Sequence, residues 1–168
     1  MRKRSLVVPI TIILALLLNT SAAAIAADPI IGTWKLNVAK LKFSPVLQTM
    51  TKQGPPKEHT ETYREMEGGQ VEFESKTIRA DGSSSSSHFI WPRQGGAVKI
   101  LQGGFAGLAY VETFLGPGDW YVTALQNSKQ FGVRRKIVSK NGKTMRQTLA
   151  GADPEGKPFE QVEVYDRQ

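Results

Sequence analysis

The sequence predicts an all-β domain, a single antiparallel up-and-down barrel of about eight to ten strands, and three observations carry that prediction. Short runs rich in β-branched and aromatic residues recur at close spacing. Turn residues separate them: Gly68-Gly69, Asp81-Gly82, Gly116-Pro117-Gly118, Asn141-Gly142 and Asp153-Pro154-Glu155-Gly156. From residue 58 onward no stretch has a helical period. A meander of that many strands leaves two exposed edges unless the sheet closes, and closure removes them.

Residues 1–26 read as a secretory signal peptide. Arg2, Lys3 and Arg4 make a cationic start, Leu6 to Leu18 is an apolar run, and Ala24-Ile25-Ala26 has the small-x-small pattern of a cleavage site. Asn19, Thr20 and Ser21 interrupt the run before it reaches the roughly 20 residues of a membrane span. An uncleaved anchor is the alternative. The expected working domain is residues 27–168, exported to a periplasm or beyond the cell, with no stable membrane insertion after cleavage.

Within that domain Ile30 to Leu36 reads as a first strand introduced by Pro29. Phe43 to Lys57, with Pro45, Gly54, Pro55 and Pro56, reads as a long irregular surface connection with room for a helical turn around Val46 to Lys52. Glu58 to Met66 and Gln70 to Arg79 form a hairpin, with Val71, Phe73 and Ser75 on one face and Glu72, Glu74 and Lys76 on the other. The Ser83 to Ser87 tract reads as a flexible stretch before a strand at His88 to Trp91. Strands follow at 97–101, 108–115 and 120–125. Val133 to Lys140 and Lys143 to Ala150 flank Asn141-Gly142, the pair favoured in two-residue type I′ hairpins. Pro158 to Tyr165 closes the chain, with Val162 and Val164 on one face.

Charge and size exclude several classes. Removing Arg2, Lys3 and Arg4 from the 22 Lys and Arg leaves 19 against 15 Asp and Glu, so the formal charge falls from +7 to +4. The densest cationic cluster, Arg134-Arg135-Lys136, is too short for a nucleic-acid footprint and reads as a solvated face. There is no cysteine, so the fold rests on an ordinary core, which about 140 residues can supply.

Gly32-Thr33-Trp34 resembles the Gly-x-Trp signature that opens lipocalins and related calycin barrels. Lys42-Phe43-Ser44-Pro45, Ser139 to Met145, Gly156-Lys157-Pro158 and Val164-Tyr165-Asp166 extend the resemblance to a group of small exported bacterial proteins with no established reaction. The resemblance implies a lipocalin-like barrel closed at one end by Gly32 and Trp34. It further implies an arginine from a late strand packed over the tryptophan, and Arg146 and Arg135 are both candidates.

Catalytic constellations are hard to assemble. With His59 and His88 as the two histidines and no thiol, a tetrahedral nitrogen and sulfur zinc site cannot form, both histidines read as solvated, and no metal or cofactor is expected. Glu72 and Glu74 share a strand face that alternation turns outward. Gly103 to Gly107 lacks the Lys-Ser/Thr ending of a phosphate loop and reads as a mobile loop. A lone carboxylate such as Glu112 beside Tyr110 would need a positioned partner to act as a base.

The expected function is therefore binding rather than catalysis. A barrel of this size either holds one small ligand or fills itself with side chains. The first alternative is an exported lipocalin-like protein that binds a small apolar or amphipathic molecule, with Trp91, Phe105, Tyr110 and Trp120 at the mouth or lining the interior. The second is an envelope interaction module whose barrel is packed by Phe73, Met145 and Leu149.

Overall fold

Turn chemistry divides the described residues into eleven strands and one short α-helix, with two single 3-10 turns. The computed structural model describes residues 27–104 and 107–168, so the predicted signal peptide and Phe105 lie outside the described residues. The strands are β1 (Gly32–Leu36), β2 (Pro56–Glu65), β3 (Gln70–Arg79), β4 (Ser84–Pro92), β5 (Gly96–Ala97), β6 (Lys99–Gln102), β7 (Leu108–Gly116), β8 (Asp119–Gln126), β9 (Lys129–Val138), β10 (Thr144–Ala152) and β11 (Pro158–Arg167). They form one antiparallel sheet in the order β5-β7-β8-β9-β10-β11-β1-β2-β3-β4-β6.

The two ends of that order are neighbours in the chain. Gly96 and Ala97 pair with β7, while Lys99 to Gln102 pair with β4. The Val98 N–H donates to the Tyr110 carbonyl at 2.9 Å. One run of seven residues thus bridges the gap and leaves a nearly closed barrel. It counts as two strands because its halves pair to opposite sides, which takes the total past the expected eight to ten.

Local expectations fared unevenly. The Asn141-Gly142 hairpin exists, but its loop is wider than two residues: Ser139 bonds Thr144, the Gly142 N–H donates to the Ser139 carbonyl, and of the pair Gly142 alone has positive φ. The two-residue turn with both residues left-handed is Asn127-Ser128, φ 48° and 64°, closed by the Gln126 and Lys129 pair. The serine tract is strand, not linker. Ser84 to Ser87 pair with Ser75 to Ile78 of β3, because a ladder of backbone bonds on a ten-residue partner does not depend on side-chain hydrophobicity.

The connection between β1 and β2 carries helix α1 (Pro45–Thr51). Ser44 caps it, Pro45 occupies its first turn, and Lys52 at φ 55° ends it. Lys42 pairs edge to edge with Val162 through two backbone hydrogen bonds, so the start of this connection continues along β11 beyond the end of β1, and Val162 is buried. Val162 and Val164 do share a face, and it is the outer one. Phe159, Gln161, Glu163 and Tyr165 occupy the interior-facing parity.

The core sits toward the end of the barrel away from α1. Ile30, Trp34, Tyr63, Trp120, Met145 and Tyr165 are fully buried there. No helix among the described residues is long and apolar enough to cross a membrane.

Candidate functional site

Alternation along β9 places Arg134 and Lys136 inside the barrel and Arg135 outside, where Arg135 meets Asp119 at 2.7 Å. The cluster predicted to be a solvated face is therefore split, with two of its cations interior. What makes that tolerable is a set of counter-charges from strands distant in sequence, Glu61 on β2 and Glu163 on β11.

Glu61 is the hub. Tyr63 donates to its Oε2, the Gln147 amide donates to the same oxygen at 2.5 Å, and Lys136 Nζ lies 3.9 Å away. Lys136 also donates to the Tyr63 hydroxyl at 2.7 Å. Its ammonium rests 4.0 Å over the Trp91 ring, with the Phe73 and Tyr63 rings under 5 Å away, a cation held by aromatic faces. Arg134 extends the network by donating to Gln147 at 2.8 Å and to Glu163 at 3.1 Å, and Tyr165 donates to Glu163 at 2.9 Å.

Burial alone would raise the Glu61 carboxyl, but Lys136, His59 and Arg134 outweigh it and hold the group well below the usual carboxylate range. Burial pulls Lys136 down to about 8 against the attraction of Glu61, so at neutral pH it remains largely charged. Glu112 on β7 differs. It is buried, neither carboxyl oxygen has a hydrogen-bond partner among the described residues, and burial pushes it up to about 9 against the pull of Lys136. At neutral pH it is a neutral acid. The indole nitrogens of Trp91 and Trp120 also lack partners among the described residues.

Exposure grades along the interior and shows which end opens. Trp34, Tyr63 and Trp120 are at 0 % toward the closed end. The Arg134 side chain keeps 27 % and that of His59 17 %, and Tyr110 is half-buried. The Ser44 N–H reaches the Gln161 side chain at 3.4 Å, which puts the start of α1 at the open end.

The predicted site residues fall into two groups. Trp91 and Trp120 point inward but lie in the packed aromatic core, their rings 6.1 Å apart and Trp91 stacked on Phe73. Tyr110 sits nearer the opening, against Phe89 at 5.4 Å. Of the expected packing residues, Phe73 and Met145 are buried and Leu149 is half-buried. His59, expected in solvent, instead points into the barrel, where its Nδ1 shares a hydrogen bond with Thr77 at 2.8 Å. Glu72 and Glu74 do face outward.

At the closed end the Trp34 indole donates to the Ile30 carbonyl at 2.7 Å, and the Arg167 guanidinium lies 4.2 Å over its ring. Neither Arg146 nor Arg135 takes that place. Arg167 belongs to β11, paired directly with Trp34. The sequence offers no cue for this choice, because the pairing of the first strand with the last is a consequence of closure.

Glu61, Gln147 and Glu163, which the sequence reading passed over, carry the interior chemistry together with Arg134 and Lys136, which it read as a solvated face. Their signal was weak: Glu61, Lys136, Gln147 and Glu163 lie at strand parity with an aromatic or aliphatic neighbour two positions away, such as Tyr63 for Glu61 and Tyr165 for Glu163, while Arg134 has only Gly132 and Lys136. Two cavities open on the outer surface. One of about 470 Å³ runs along β2, β3 and β4, and one of about 300 Å³ lies between α1 and the turn joining β10 to β11.

A nearly closed antiparallel meander with one short helix and a tryptophan under an arginine at one end gives the chain a lipocalin-like barrel fold. Comparison with solved structures agrees at the level of fold. The fluorescent protein UnaG aligns with a TM-score of 0.54 at 13 % identity over 82 % of this chain and 96 % of that one. A single-residue variant of it aligns with a TM-score of 0.54 at 15 % identity, covering 84 % and 97 %. Zebrafish ileal bile acid-binding protein complexed with cholic acid aligns at 0.48 and 10 % identity, covering 83 % and 99 %. No protein-family model and no curated protein sequence matches the chain.

Proposed function

We propose that this is an exported barrel protein that binds one small amphipathic molecule in the open half of its interior, without catalysing a reaction. The observation that carries this reading is the exposure gradient. At the open end a charged network reaches partial solvent exposure at Arg134 and His59, beside the aromatic surfaces of Tyr110 and Phe89. A few convergent polar groups among apolar walls are what an amphipathic ligand requires. A barrel of this class is wide enough for one such molecule. Interior cations and carboxylates already balance, with Arg134 and Lys136 against Glu61 and Glu163 and with Glu112 neutral, which favours an uncharged or zwitterionic polar group over a bare anion.

A second reading, a filled barrel acting as an envelope module, is favoured by the burial of Phe73 and Met145 and by the stacking of Phe73 on Trp91 in the interior. Titration with the uncharged probe N-phenyl-1-naphthylamine, read by probe emission and by quenching of the buried tryptophans, separates the two. Saturable one-to-one binding to the folded protein, weakened at least about tenfold by Tyr110→Ala, supports the ligand barrel. No saturable binding, together with a bare protein mass in native spectrometry of material from its own host, supports the filled one. Export is part of the proposal and rests on the composition of residues 1–26.

A further inference from the structure

We propose that Glu72, Glu74 and His88 form a divalent-metal site on the outer face of the barrel, suited to zinc, with an open coordination position facing the adjoining groove. The placement follows from strand geometry. Glu72 and Glu74 are two residues apart on β3 and so share the outward face, and His88 on β4 stands directly opposite Glu74. The three donor atoms lie within 4.8 Å of one another. His88 Nε2 and Glu72 Oε1 are already 2.9 Å apart.

Zinc holds nitrogen and carboxylate donors at roughly 2.0–2.2 Å, so its ligand atoms stand at most about 3.6 Å from each other. Reaching that spacing asks about 1 Å of movement from three half-buried side chains on backbone fixed by ladders on both sides. One imidazole with two carboxylates suits a borderline ion such as zinc better than magnesium or calcium, which take oxygen donors throughout. Two carboxylates also cancel the charge of a divalent ion.

Arg64 holds that charge in the metal-free state. Its Nη1 lies 3.0 Å from Glu72 Oε2 and 2.5 Å from Glu74 Oε2. With its side chain 52 % exposed, it is a weakly held competitor that an ion can displace. An independent feature, the cavity of about 470 Å³, begins where the donors are: Glu74 and His88 form part of its wall, and Thr62, Ser86 and Gln102 supply hydroxyl and amide groups beyond them. Three protein ligands leave a fourth position, and a water or a small oxygen ligand held there would meet those groups.

Calorimetric titration of the whole processed chain with zinc chloride tests the site. One ion per chain is expected, with magnesium failing to compete. His88→Ala and Glu74→Gln weaken binding by at least about tenfold, while Arg64→Ala strengthens it several-fold because the competitor is gone. Thermal unfolding of each variant checks that the barrel stays folded. Absence of stoichiometric binding in the wild type, wild-type affinity in His88→Ala, or weaker binding in Arg64→Ala overturns the proposal. None of these residues belongs to the interior, so loss of zinc binding leaves the N-phenyl-1-naphthylamine result untouched.

Discussion

The Arg167 guanidinium lies 4.2 Å above the Trp34 ring and donates to the carbonyls of Pro29, Ile31 and Gly142, so one side chain from the last strand ties together the first strand, the residues before it and the β9-β10 turn. Gly32 is part of the same arrangement. Its φ is 134°, and a Cβ there would meet Arg167 Nη1 at 2.5 Å.

Arg167→Ala removes the cation over the ring and leaves carbonyls without their charged donor, so it destabilises the barrel by about 2–4 kcal/mol. Gly32→Ala is expected to cost a comparable amount, since it strains the backbone and displaces the same guanidinium. Urea unfolding followed by tryptophan fluorescence measures both. An Arg167→Ala midpoint equal to that of the wild type would refute the closing role.

The interior ion pair predicts strong non-additivity. Lys136→Met alone leaves Glu61 buried without its nearest cation, and Glu61→Gln alone leaves Lys136 without its anion, so each costs about 3–5 kcal/mol. The double variant is expected to be more stable than the sum of the two losses allows. Additive losses in a double-mutant cycle would mean that the pair is not coupled.

Glu112 gives the protein a falling stability between mildly acidic and mildly alkaline pH. Its folded value of about 9 stands above the unfolded 4.5. Below pH 4.5 both states hold the proton and the contribution is complete. Between 4.5 and 9 unfolding releases the proton, so this group lowers stability by up to about 1.4 kcal/mol per pH unit. Lys136 acts the other way from about 8 upward, because its folded value lies below its unfolded 10.5. Glu112→Gln therefore flattens the slope between pH 5 and 8. Urea midpoints at unit pH steps read it, and an unchanged slope would rule Glu112 out as its source.

Processing gives a fourth test. If residues 1–26 are a cleaved leader, protein recovered from the envelope or medium of its host begins at Ala27 by terminal sequencing. Asp28 then lies at the second position, where its carboxylate accepts from the Ile30 and Gly118 N–H groups. A chain that begins at Met1 in the envelope contradicts cleavage and supports the uncleaved anchor, and one that stays in the cytoplasm contradicts export.

Most strand positions were legible because side-chain alternation and turn residues are local properties. β3 and the helical turn at α1 follow from Val71, Phe73 and Ser75, and from Ser44 with Pro45. The candidate site was much less legible. Arg134 and Lys136 read as a solvated face because a charge is ordinarily outside. The carboxylates that reverse this, Glu61 and Glu163, come from strands far away in sequence. Ser84 to Ser87 misled for a similar reason, since their strand state is imposed by β3.

By itself the sequence determined a β meander, its principal turns, a tryptophan fit for a core and a chain that needs no disulfide. Each of these follows from propensity, periodicity or composition within a short window. Only the tertiary structure decided which face of β9 and β11 looks inward, that Arg167 covers Trp34, and that Glu72 and Glu74 meet His88. Those relationships arise from register and closure, which join residues up to the full length of the domain apart.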